Sequence, residues 1–181
     1  MNADAQGPNP IEPDEKDWTW VLHTRCPECG YEAADVTVDH VADAVRSMVP
    51  DWVAVLERPD AAVRRDPSRW SDLEYACHVR DVFRLFRHRL ELMRCEDDPA
   101  FANWDQDVTA VEDDYAGQDP QVVGAELAAD AELVAASFAD VPSDAYGRTG
   151  RRSDGAVFTI ETFARYFLHD PLHHLWDVST V

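Results

Sequence analysis

The sequence predicts an all-α fold, a four-helix bundle with long connections. Three observations carry that prediction. Four stretches repeat apolar residues at three- and four-residue steps, the period of a helix with one buried face. Two of those stretches open on recognisable start signals. Apart from a possible short β-ribbon ahead of the last helix, no segment alternates as a strand would.

Taken in order, residues 1–17 are polar, acidic and proline-containing, and read as a disordered tail. Residues 18–34 form a compact cysteine-containing insert, with Trp18, Trp20, Val21 and Leu22 able to anchor it to the bundle of residues 35–181. The first helix runs from about Asp35 to Glu57, with Val38, Val41, Val45, Met48, Val49, Trp52 and Leu56 inward and a bend at Pro50. The second opens at Ser71, where Glu74 completes a capping box, and ends near Cys95–Asp98. Asp119-Pro120 starts the third, a cap followed by proline at the first helical position, and Val122, Val123, Leu127, Leu133 and Val134 lead it to about Ala139. The fourth starts at Thr159 and carries Ile160, Phe163, Phe167, Leu168, Leu172, Leu175 and Trp176.

Composition narrows the function. The 181 residues hold 36 acidic and 16 basic side chains, a formal net charge of −20, and Lys16 is the only lysine. Such a charge repels a phosphate backbone or an anionic membrane surface, so no nucleic-acid or membrane partner is expected. No apolar run approaches the ~20 residues that span a bilayer. The amino terminus lacks the basic start and apolar core of a signal peptide, so a cytoplasmic location is expected. Four cysteines are too few for a disulfide scaffold of this length.

The histidines are the most informative residues. His169 and His173 stand four apart and therefore stack on one face of the last helix, where two imidazoles can grip one divalent ion. Spacing alone leaves this reading level with that of two hydrogen-bonded core histidines. His78 lies beside the inward stripe of the second helix and is the candidate third ligand. Three histidines from two helices would leave open positions on the metal, the pattern of a catalytic site. His174, about 100° round from His173, reads as a surface or supporting group, as does His88 among arginines; His40 reads as solvated.

Cys26-Pro27-Glu28-Cys29-Gly30 is a tight C-x-x-C turn that can aim two thiolates at one ion, with His23 as a possible third ligand. A redox dithiol and a plain reduced turn are the competing readings.

Trp70-Ser71-x-x-Glu74-x-x-x-His78-x-x-Asp81, followed by His169-Asp170-Pro171-Leu172-His173-His174-Leu175, resembles the DinB superfamily, over roughly residues 35–178. That superfamily includes the mycothiol-dependent maleylpyruvate isomerases and related thiol S-transferase-like proteins. The resemblance implies an up-down-down-up bundle and a divalent metal (zinc, nickel or manganese) held by His78, His169 and His173. In the isomerase branch the first residue of the last-helix pair is a glutamate; His169 stands there in this reading, which fits the three-histidine branch better.

The remaining candidates follow from position. Trp104 and Asp105, in the connection between the second and third helices, could line a pocket mouth, with Asp105 as a base. Asp81 could orient a ligating histidine or serve the chemistry. Arg148 and Arg151 could receive a carboxylate of substrate or thiol. The function expected is metal-dependent activation of a low-molecular-weight thiol, mycothiol-like, for S-transfer, conjugation or isomerisation of an electrophilic small molecule. Metal-dependent hydrolysis and a non-enzymatic metal- or redox-responsive module are the alternatives. A homodimer is compatible with the sequence, which does not fix the oligomeric state.

Overall fold

The structure, a computed structural model, describes Ile11 and residues 16–180; the expected tail lies mostly outside the described residues. Four long helices form the body: α1 (Val38–Leu56), α2 (Asp72–Cys95), α4 (Pro120–Ala139) and α5 (Ile160–Ser179), with a short α3 (Gln106–Glu112) in the second connection. Both α4 and α5 pack on α1 and on α2, so α1 and α2 face each other across a diagonal.

The helix starts are local chemistry. Ser71 Oγ accepts from Glu74 N while Glu74 Oε2 accepts from Ser71 N, so two otherwise orphaned donors are satisfied reciprocally. Asp119 caps α4 with Pro120 as its first residue, and Thr159 and Thr162 form the equivalent box on α5. Helix α1 runs on through Pro50 and α5 through Pro171. The core is aromatic where α2, α4 and α5 meet: Phe167 stacks on Phe138 and touches Phe83 and Phe86. Val122 and Leu133, expected inward, are exposed, because α4 turns Val123, Leu127, Ala131 and Val134 to the core instead.

The ribbon ahead of α5 exists as β2 (Thr149–Arg152) paired antiparallel with β3 (Val157–Thr159). Two elements go beyond the sequence reading: β1 (Ala100–Phe101), which joins β2 in parallel, and α3. Helix α3 is capped by Asp105, whose carboxylate accepts from Asp107 N and Val108 N.

The insert lies along α5. A 3-10 turn, Trp18–Leu22, packs on that helix, and the cysteine turn closes through Gly30 N donating to Cys26 O (3.0 Å) and Cys26 N to Tyr31 O (2.9 Å). Gly30 has φ +76°, a conformation that strains any residue with a Cβ. Tyr31 pins the turn down: its hydroxyl donates to Arg165 O on α5 (2.6 Å), and its ring meets His169 edge-on. Tyr31→Phe leaves that carbonyl without its donor and is expected to lower stability by about 1 kcal/mol, read as a shift in urea midpoint. An unchanged midpoint would show that the bond contributes nothing net.

Candidate metal centres on α5

Residues 169, 170, 173 and 174 occupy two neighbouring faces of α5, and the structure sends the two faces to different partners. One face carries Asp170 and His174 to His78 on α2. The other carries His169 and His173 to Cys26 and Cys29 of the insert. In each group the potential ligand atoms lie within 4.8 Å of one another. The set expected from the sequence, His78 with His169 and His173, is thus divided. The physical reason is the rotation of α5: consecutive residues differ by about 100°, and packing turns Asp170 rather than His169 toward α2.

In the first cluster His78 is fully buried, and neither ring nitrogen has a hydrogen-bond partner. Its Nε2 stands 3.3 Å from Asp170 Oδ1, which also makes no hydrogen bond. The approach is close, but its geometry is not that of a donor and an acceptor. Two ligands bound at ~2.0–2.2 Å to one ion stand about 3–3.5 Å apart, and the pair has that separation. His174 Nε2 is 3.9 Å from the same oxygen, while its Nδ1 is 3.0 Å from Asp177 Oδ2. An Nδ1–H donated to Asp177 leaves Nε2 with its lone pair toward Asp170 and His78. Burial opposes ionisation of Asp170, but the imidazoles of His78, His174 and His169 outweigh it and hold the carboxyl at about 2. One carboxylate and two imidazole rings make a donor set that fits a divalent cation.

In the second cluster Cys26 Sγ lies 3.7 Å from His173 Nδ1, and His169 Nε2 is buried without a hydrogen-bond partner. Burial, followed by the neighbouring His173, pulls His169 down to about 4, so its imidazole is neutral at pH 7. Burial raises the Cys29 thiol to about 11. Trp18 lies over both histidine rings, at 5.6 and 5.3 Å. His23, the expected third partner of the cysteines, is exposed and stands outside the cluster; His169 and His173 take that place. Cys77 is buried against Tyr115 O and Gln118, Cys95 is exposed beside Glu91, and neither joins.

A cavity of about 410 Å³ opens against both faces of α5, with Asp170 and His174 of the first cluster and His169 and His173 of the second in its wall. Trp104 and Asp105 line it, as expected of that connection, and the Trp104 ring stacks on His78 at 5.3 Å. Asp105 is also engaged as the α3 cap. Asp81 is taken up by Arg80, Arg84 and the Tyr115 hydroxyl (2.5 Å), and it is Asp177 that meets a cluster histidine. The arginines of the cavity are not the ones expected. Arg148 donates to Met93 O and Glu96 O at the end of α2, and Arg151 pairs with Asp98. Arg89 and Arg152 line the cavity instead. Arg152 is paired with Asp154, whereas Arg89, 4% exposed, donates to Ala102 O and lies over the Phe101 and Phe86 rings at 5.0 and 5.8 Å, and its Nε has no hydrogen-bond partner. Burial, then the charge of Arg152, pulls the Arg89 guanidinium down to about 10, still cationic at neutral pH.

Fold and clusters together define a helical bundle with candidate metal centres between and beside its helices. The chain belongs to the DinB superfamily, whose family model matches residues 42–178. Among solved structures it is similar to YfiT from Bacillus subtilis, described as a probable metal-dependent hydrolase with an unusual four-helix bundle topology. The two share 18% identity and a TM-score of 0.66, over 87% of this chain and 89% of that one. No curated protein matches the sequence. Among the described residues no helix is long and apolar enough to cross a membrane.

Proposed function

We propose that this protein is a metal-dependent hydrolase of small anionic molecules, with His78, Asp170 and His174 as the metal ligands. The observation that carries the reading is the orphaned pair: His78 Nε2 and Asp170 Oδ1, both buried and without hydrogen bonds, converge with His174 beside the cavity. Two imidazoles and one carboxylate are the ligand set of several hydrolytic zinc sites, and they leave coordination positions free. The name of the YfiT structure points the same way. A divalent ion there supplies a Lewis acid that polarises a carbonyl and makes water nucleophilic at neutral pH.

The protein's own residues do the rest. Asp177 holds the His174 tautomer, and Trp104 covers the His78 ring and keeps bulk water from it. Arg89, buried and only partly satisfied, offers its guanidinium to an anionic group of the substrate. Thiol transfer would use the same centre, with a low-molecular-weight thiol in the place of water, and Arg89 would then hold a carboxylate of that thiol.

The test is turnover of carboxylated esters and amides by metal-analysed protein, with and without added thiol. Hydrolysis without thiol is expected. Arg89→Met should raise KM for the carboxylated substrate by about 10- to 100-fold, the worth of a charge-assisted hydrogen bond, and leave a neutral analogue unaffected. Turnover that appears only with thiol would replace hydrolysis by S-transfer.

A further inference from the structure

We propose that Cys26, Cys29, His169 and His173 hold a second metal ion, in a closed Cys2His2 centre of zinc type that clamps the insert onto α5. The inference does not depend on the hydrolase reading. It rests on four candidate donors that two pieces of chain bring within 4.8 Å of one another, with Cys26 Sγ and His173 Nδ1 at the separation a tetrahedral ion sets. The insert supplies C-x-x-C on a turn closed by Gly30, and the helix supplies histidines four residues apart. That combination of ligand spacings is the one structural zinc sites use.

The distances agree. Bonds of ~2.3 Å to sulfur and ~2.0 Å to nitrogen put such a pair about 3.5 Å apart around a tetrahedral ion. Cys26 Sγ and His173 Nδ1 stand at 3.7 Å, and all four donors fall within 4.8 Å of one another.

Three of the four donors are buried, and His169 and His173 also border the cavity. Cys26, His169 and His173 are 1%, 4% and 6% exposed, with Cys29 half-buried, and Trp18 and Tyr31 pack over the imidazoles. Four protein donors fill a tetrahedral shell, so this ion would have no position left for substrate, in contrast to the three-ligand cluster beside it. His173 Nε2 stands 3.6 Å from Glu28 Oε2 and 3.8 Å from Asp177 Oδ2, so carboxylates neighbour the ring on the side away from Cys26 without hydrogen-bonding it. Asp177 hydrogen-bonds His174 Nδ1 of the neighbouring cluster instead. Because 169 and 173 alternate with 170 and 174 on the same two turns of α5, an ion on the first pair fixes the helix rotation that presents the second pair to His78.

Elemental analysis of the full chain, purified without chelator, tests this beside Cys26→Ala and His174→Ala. Wild type is expected to carry two ions per chain. Cys26→Ala should lose one ion, and His174→Ala the other. A single wild-type ion lost with Cys26→Ala would uphold this centre and remove the hydrolase reading instead. A metal content unaffected by Cys26→Ala would overturn the proposal. Should Cys26→Ala fail to fold, wild type alone still decides. X-ray absorption of its zinc, or charge-transfer bands of its cobalt form, must show sulfur ligation. Nitrogen and oxygen ligation only would sink it.

Discussion

Substituting alanine for His174 is expected to remove one ion per chain and to lower kcat/KM for hydrolysis by about a thousand-fold or more. The magnitude follows from the several kcal/mol that a bound metal contributes to stabilising developing charge, at about 1.4 kcal/mol per factor of ten. His174 is one of the three proposed ligands, and without it only His78 and Asp170 remain to hold an ion. The fold should survive. The side chain is partly exposed, and the aromatic core at Phe167, Phe138 and Phe83 lies elsewhere on the bundle axis. Asp177→Ala makes the companion test. Asp177 touches no substrate in this scheme but fixes the His174 ring, so its loss should weaken metal affinity by about 10- to 100-fold and spare turnover at saturating metal. His88→Ala, on the exposed side of α2, should change neither quantity. Full metal content and full activity in His174→Ala would remove this cluster from the chemistry.

Why the sequence indicates a helical bundle but not which side chains of α5 the fold groups together is a matter of geometry. Helix starts are written locally: Ser71 with Glu74, Asp119 with Pro120, and Thr159 each lie within one turn of the groups they satisfy. Which face of α5 meets α2 is not local. Residues 169/173 and 170/174 have identical spacing, and only the packed rotation of the helix chooses between them. The insert then completes the division, since Cys26 and Cys29 claim the pair that His78 does not reach. A signal for this grouping was present in the sequence, because a C-x-x-C turn that binds metal takes two more ligands and an H-x-x-x-H pair can offer them. The arginines follow the same rule. Arg148 and Arg151 are conspicuous as a cluster along the chain, yet their partners Met93, Glu96 and Asp98 neutralise that role. Arg89 looks like one of several arginines on α2 until the sheet and α3 connection bury it. Strand β1, two residues long and paired across some fifty positions of sequence, has no local signature at all.

The second large effect is expected at the start of α2. Glu74→Ala should lower stability by about 3 kcal/mol at pH 7, a fall in Tm of roughly 6–12 °C for a chain of this size. Glu74 is 3% exposed, and its carboxylate takes four donors: Ser71 N (2.8 Å), Ser71 Oγ (2.9 Å) and two nitrogens of the Arg64 guanidinium. Alanine removes the capping box and leaves Arg64 without its counter-charge, the costly half of breaking a buried pair. The pH dependence carries a definite sign. Burial raises the Glu74 carboxyl, but Arg64 and Ser71 outweigh it and hold it below its ordinary 4.5. A group with a depressed folded pKa contributes its stability above the unfolded value and loses it as the pH falls through the folded one. The difference between wild type and Glu74→Ala should therefore be full at pH 7 and shrink below about 4.5. A gap independent of pH would assign the effect to packing rather than to the ion pair. His78 sits one helical turn beyond Glu74, so fraying at this cap also loosens the ligand that α2 supplies. Metal affinity of the first cluster should fall in Glu74→Ala while that of the cysteine centre, anchored on α5 and the insert, stays as it was.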